Sequence, residues 1–196
     1  MLKTLLIASG LGFSVNKTRS GLLFADGDKS ALTRNAICIL YPDGNSGVTG
    51  VVSFSQETTS TPTKIVASVK GLSPNSLHGF HIHEFGDLTN GCVTAGPHFN
   101  PFKKDHGGPM DSERHVGDLG NLKTNEKGEA YYANSDMLIQ LFGEDSVVGR
   151  SCVVHRDEDD LGKGGHSDSL VTGHAGARLA CGTIGLSATF KNLPPF

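Results

Sequence analysis

From about Asn35 onward, apolar residues fall in short runs with alternating side-chain character, and each run ends in glycine, proline or asparagine. Ile37 and Ile39 alternate with Ala36, Cys38 and Leu40; the stretch PDGNSG (Pro42 to Gly47) then makes a turn before VTGVVSF (Val48 to Phe54). A period of two puts alternate side chains on one face of a strand, so the pair predicts a β-hairpin. Further runs predict strands over residues 63–69, 78–84, 129–133, 137–141, 147–155 and 177–186. They are too evenly spaced, and too poor in helical periodicity, for a chain of alternating strands and helices. The pattern predicts an all-β domain. Two polar, glycine-rich stretches interrupt it, over residues 85–116 and 156–176. Loops of that length in a compact domain are functional or disordered.

Composition narrows the picture. At 37% hydrophobic and 19% charged residues, the chain has the makeup of one globular domain with an appended segment. Its 26 glycines and lack of tryptophan suit tight turns between short strands, not a helical bundle. A net charge of -3 supplies no basic stripe, so neither nucleic acid nor an anionic membrane surface is an expected partner.

Residues 1–25 differ from the rest. They hold Lys3, Lys17 and Arg19 but no acid, around an apolar run from Leu5 to Val15 broken by small residues such as Gly10 and Gly12. A run of about eleven residues is too short to span a bilayer, which needs ~20, and it resembles the apolar centre of a signal peptide. Secretion is the first expectation. The acid-free, Ser/Thr-containing character also suits an organelle transit peptide, and a cytoplasmic location is the remaining alternative. The sequon Asn16-Lys17-Thr18 lies inside this leader.

The densest chemistry sits in HGFHIHEFGD, His78 to Asp87. In a strand, positions i and i+2 share a face, so His81 and His83 can offer neighbouring nitrogens to one ion. Downstream, His98, His106 and His115 recur at gaps of eight and nine, and Asp118 follows three residues later. Three imidazoles and a carboxylate form a closed four-ligand set of the kind that holds structural zinc. His155, ending the apolar run VVGRSCVVH, adds another imidazole, and copper(II) favours several imidazoles in a roughly planar array. Six histidines and one aspartate can serve two such sites if one histidine uses both ring nitrogens, as an imidazolate between two cations can.

With these residues in view, the stretch 35–187 resembles the copper/zinc superoxide dismutase family. GFHIHEFGD matches one family signature, GPHFNP and HGGPMDSERHVGDLGN its zinc loop, VVHRDEDDLGKGG its electrostatic loop, and GHAGARLACGTIG a second signature. The resemblance implies an eight-stranded Greek-key β-barrel or flattened sandwich and the disproportionation of superoxide to oxygen and hydrogen peroxide. It implies copper on His81, His83, His98 and His155, and zinc on His98, His106, His115 and Asp118, with His98 bridging the two. Asp159 falls where the family has a carboxylate linking a copper histidine to a zinc histidine, here His81 and His106. Arg178 falls at the guanidinium beside copper, which draws in the anion, and His98 at the proton donor. Cys92 and Cys181 fall at the disulfide; closing a loop of about 90 residues stabilises a fold by ~4–5 kcal/mol in the chain-entropy picture.

The same resemblance implies a homodimer and loading by a copper chaperone. Val171 departs from a position near the channel where many members are basic, so attraction of the anion falls more heavily on Arg178. Cys38 and Cys152 lie in apolar runs and read as buried free thiols. His78 falls at no ligand position and reads as a structural hydrogen-bonding residue, while His166 and His174 read as solvated. Residues 188–196, ATFKNLPPF, extend past the usual end, to cover a strand edge or to move freely. The related copper chaperones use a C-x-C thiolate motif, which these 196 residues lack, and a catalytically silent relative would lack a copper histidine or the arginine.

Overall fold

The computed structural model describes residues 33–195, so the leader at residues 1–25 lies outside the described residues. Nine strands follow one another: β1 (Arg34–Pro42), β2 (Thr49–Gln56), β3 (Thr63–Lys70), β4 (Leu77–His83), β5 (Thr89–Cys92), β6 (Asp118–Lys123), β7 (Ala130–Asp136), β8 (Ser151–His155) and β9 (Arg178–Ser187). Among the described residues the one α-helical turn, α1 (Ser169–Thr172), lies between β8 and β9. Among the described residues no helix is long and apolar enough to cross a membrane.

Eight strands join in the order β6-β4-β8-β9-β1-β2-β3-β7, every pairing antiparallel. The meander β1-β2-β3 is local, whereas β4, β8 and β9 interleave from distant parts of the chain. The two edges then approach each other. The Tyr132 hydroxyl of β7 donates to the Leu119 carbonyl of β6 at 3.1 Å, and the Tyr132 ring meets Phe80 of β4 edge-on at 5.6 Å. This near-closure makes the sheet a barrel and leaves little open strand edge. Leu40, Phe54, Ile65, Phe80, Ile82, Leu122 and Ile184 fill the interior.

The strand prediction missed in instructive places. Residues 137–141 are not a strand: Asp136 accepts from the Leu138 and Ile139 amides, and Gln56 accepts from the Leu141 amide. Ile139 and Leu141 are apolar because this loop plugs the barrel, and a buried loop can copy a strand's alternation. β8 begins at Ser151, with residues 147–150 in a turn. Conversely β6, spelled DLGNLK, carries no strand prediction, yet Leu119 and Leu122 are core residues. β5 was likewise hidden in the first long loop.

The chain beyond β9 lies on the outer face of the sheet and reaches its edge strands, with Pro195 beside Lys123 of β6 and Tyr131 of β7. On paired positions of β2 and β3, Val52, Phe54, Ile65 and Ala67 face the core, so Ser53 and Val66 face outward; both are nevertheless buried. Residues 188–195 lie over them. The Lys191 amide donates to the Ser53 hydroxyl at 2.9 Å, Phe190 sits beside Val66 and Tyr131, and Leu193 and Pro194 sit beside Ile39, Tyr41 and Val51. Ending the chain at Ser187 should therefore lower stability by about 1–2 kcal/mol, the scale of exposing one valine and its neighbours, with metal content and activity unchanged. Thermal denaturation of the truncated protein checks this; an unaltered midpoint would mean that the tail is not docked.

Candidate metal centre

The site lies on the outer faces of β4 and β8, under the two long loops. On β4 the side chain of Ile82 points into the barrel, so its neighbours His81 and His83 point out, yet the loops bury both. Register shifts occur beside the histidines of both strands, between Gly79 and His81 on β4 and between Val154 and His155 on β8. Such irregularities re-aim a side chain out of the regular pleat. His98 joins them through an isolated bridge to His83.

Two four-residue groups result, His81, His83, His98 and His155 on one side and His98, His106, His115 and Asp118 on the other; within each, one ligand atom per residue lies within 4.8 Å of the rest. His98 belongs to both. Its Nδ1 is 3.0 Å from Asp118 Oδ1 and 3.4 Å from His115 Nδ1, while its Nε2 is buried without a hydrogen-bond partner. One imidazole thus turns a different nitrogen to each group.

The donor atoms fit metal ions. Asp118 Oδ1 lies 3.0 Å from His106 Nδ1 and 3.2 Å from His115 Nδ1. Ligands at ~2.0–2.1 Å from a tetrahedral zinc are about 3.3 Å from one another, so these spacings match the edges of that tetrahedron. On the other side His83 Nε2 and His155 Nε2 are 3.3 Å apart, and His81 Nδ1 is buried and unpartnered like His98 Nε2. Buried polar atoms left without partners are costly, which makes converging orphans a mark of a missing cation.

Asp159 sets the outer nitrogens. It accepts from His81 Nε2 and His106 Nε2, each at 2.8 Å, which leaves the Nδ1 of each ring facing its own group. Asn121 of β6 holds Asp159 in turn, accepting from its amide and donating to its carbonyl, both at 2.8 Å. Outer partners of this kind fix ring orientation and tautomer.

Arg178, the first residue of β9, is held by loop backbone: its Nη2 donates to the Gly96 carbonyl at 2.6 Å, and its Nη1 donates to the Cys92 carbonyl. The Gly96 carbonyl also accepts from His83 Nδ1 at 2.8 Å, so one peptide oxygen places both the guanidinium and a copper-side histidine. Cys92 is disulfide-bonded to Cys181, with Cα atoms 5.7 Å apart, which ties this loop to β9. Cys38 and Cys152 are buried free thiols. His78 Nδ1 donates to the His155 carbonyl, 3.0 Å away, in a structural role. His166 and His174 are exposed and lie apart from both groups.

Sequence reasoning missed three supporting parts. Arg114, buried, pairs with Asp136 at 2.7 Å and donates to the carbonyls of His115 and Asp118, which fastens the zinc-side loop to β7. Asn121 was hidden in an unrecognised strand, and the Gly96 carbonyl is backbone and leaves no side-chain signal.

The electrostatics differ between the groups. Burial, with neighbouring imidazoles, pushes His81 and His155 down to about 4 and His98 down to about 3, and it holds His83 well below the usual range. At His106 burial also acts downward, but Asp118 and Asp159 outweigh it and raise the ring to about 9. Burial would raise Asp118, yet hydrogen bonds from His106, His115 and His98 hold it far below the normal carboxylate range. The two carboxylates thus favour positive charge at His106, the charge that a cation in this group would supply.

Comparison with known proteins agrees with this arrangement. A family model described as copper/zinc superoxide dismutase (SODC) matches residues 48–184. A protein named superoxide dismutase [Cu-Zn] from Yarrowia lipolytica is 61% identical over 145 residues, 74% of this chain and 94% of the relative. Proteins of the same name from Candida albicans and Saccharomyces cerevisiae are each 60% identical over 144 residues, with the same coverage of 74% and 94%.

The two groups should differ in proton release. At pH 7 the metal-free copper-side imidazoles are neutral, whereas zinc must displace the proton that His106 holds up to about pH 9. Zinc uptake by the metal-free protein should therefore release about one proton per ion, and its affinity should rise roughly ten-fold per pH unit below 9; copper alone should release almost none, but the second metal to bind should release one more, the ring N–H that His98 must lose to use both nitrogens. Calorimetry in buffers of different ionisation enthalpy measures both, and proton-free zinc uptake would contradict the assignment. With eight barrel strands, two four-ligand groups meeting at His98 and a family match across most of the domain, the chain belongs to the copper/zinc superoxide dismutase family of enzymes.

Proposed function

We propose that this chain disproportionates superoxide, two superoxide ions and two protons giving oxygen and hydrogen peroxide. In this reading copper is held by His81, His83, His98 and His155, and zinc by His98, His106, His115 and Asp118. The observation that carries it is His98, which faces one group through Nε2 and the other through Nδ1. Bound copper supplies the one-electron chemistry, and bound zinc supplies fixed charge with no redox change.

The chain's own residues do the rest. Arg178, partly exposed and immobilised by two carbonyls, binds the anion next to His83; a planar guanidinium held this way keeps its orientation better than a lysine would. His98 Nε2, when it is not on copper, is the atom placed to hold a proton for the developing peroxide. Asp159 keeps His81 and His106 from rotating. Solvent reaches His98 through a cleft that Pro97, His115 and Val171 also line. Val171 is 61% exposed and uncharged, so it adds no attraction for superoxide to that of Arg178 and of Arg150, which lines the same cleft.

Metal analysis together with superoxide turnover on the purified protein tests this reading. One copper and one zinc per chain are expected, with activity lost when copper is stripped; zinc alone and no activity after copper is restored would overturn it. Arg178→Ala should turn over about ten-fold more slowly and with weaker salt dependence while keeping its metals, since steering by fixed charge is screened by salt. Unchanged turnover would remove Arg178 from the mechanism.

The reading extends to a homodimer whose copper is delivered by a chaperone. Phe85 and Leu186 are large, apolar and 50% and 66% exposed, and the hydrogen bond from Thr183 to the Gly86 carbonyl joins their segments. An exposed apolar pair of this kind is a natural self-association face. Leu186→Asp should shift sedimentation toward monomer, and an unchanged dimer would move the interface elsewhere.

A further inference from the structure

Of the chain's nine histidines, seven are buried: the six around the two metal groups, and His78. The two exposed ones, His166 and His174, are eight residues apart and yet stacked, ring centroids 3.8 Å apart and planes within 12°. Local structure holds them in place. The His166 amide donates to the Ser169 hydroxyl at 2.9 Å, and His174 adopts φ +53°, a left-handed conformation uncommon for a residue other than glycine.

Asp168 adds the decisive detail. Its Oδ1 lies 2.8 Å from His174 Nδ1, which places the ring proton on Nδ1 and leaves the lone pair on Nε2. A carboxylate behind a histidine is the outer arrangement that metal-binding imidazoles use. The same cleft is lined by Glu158, an exposed carboxylate with no hydrogen bond or ion pair among the described residues. Its neighbours there are engaged: Asp157 with Arg156, Asp160 with Ser169, and Lys163 with Asp111.

We infer that His166 and His174 form an additional, solvent-exposed binding site for one divalent transition-metal ion, zinc(II) or copper(II), with Asp168 orienting His174 and Glu158 lining the same cleft. Two nitrogens bound side by side to one ion at ~2.0–2.1 Å are about 2.9–3.3 Å apart, so rings already 3.8 Å apart must turn out of their parallel stack until their in-plane lone pairs converge on it. The site shares no residue with the buried groups and does not depend on their chemistry.

Calorimetric titration of zinc(II) into the metal-loaded, dialysed protein tests this, counting uptake beyond whatever the protein already holds. One further equivalent is expected at micromolar free zinc. His174→Asn and His166→Asn should each abolish that equivalent, and Asp168→Asn should weaken it about ten-fold, the effect of losing an orienting carboxylate. Superoxide turnover in these variants should equal that of the parent before extra metal is added. No uptake beyond the starting content, or uptake that persists in both histidine variants, would overturn the assignment.

Discussion

The centre depends on one buried carboxylate. Asp159 bonds through its two oxygens to His81 on a strand and to His106 in a loop, 25 residues apart in sequence, and each bond is 2.8 Å. Because Asn121 grips its backbone from β6, the carboxylate is a fixed point rather than a mobile side chain. Everything on the metal side of those rings follows from it: with both Nε2 atoms occupied, only Nδ1 can bind a metal. Losing the carboxylate would free both rings at once, so its effect would reach both groups.

A second constraint works through backbone. The Gly96 carbonyl accepts from His83 and from Arg178, which couples the position of the imidazole to that of the guanidinium. The disulfide at Cys92 holds the loop that carries this carbonyl against the strand that carries Arg178. Alignment of the guanidinium with the imidazole is therefore a property of loop tethering. The barrel core, centred on Phe54, Phe80 and Ile82, supplies the rigid strands but does not itself set that alignment.

Much of this was legible in the sequence, for physical reasons. The alternation of His81 and His83 reads directly because a strand has period two, and the loop ligands stand out because histidines and an aspartate recur in a glycine-rich stretch. Asp159 and Arg178 needed the family resemblance, since an aspartate in an acidic run and a lone arginine look like solvated surface. What stayed hidden was of two kinds. β6 is built from Asp, Gly and Asn, so its leucines were the only sign of burial; residues 137–141 showed the opposite, a loop with a strand's alternation. Backbone acceptors such as Gly96, and cross-barrel pairs such as Arg114 with Asp136, leave no local pattern to read.

The tail over β2 and β3 also bears on how copies of the barrel assemble. Uncovered, the outward band of Ile39, Tyr41, Val51 and Val66 would be a second apolar face, distinct from the one around Phe85 and Leu186. A molecule with one self-complementary patch closes on a single copy of itself and stops. With two unlike patches, each newly added copy brings a fresh acceptor for the next, and growth has no natural end. Residues 188–195 cover part of that face, over Ser53 and Val66, and so leave less of it open to such growth.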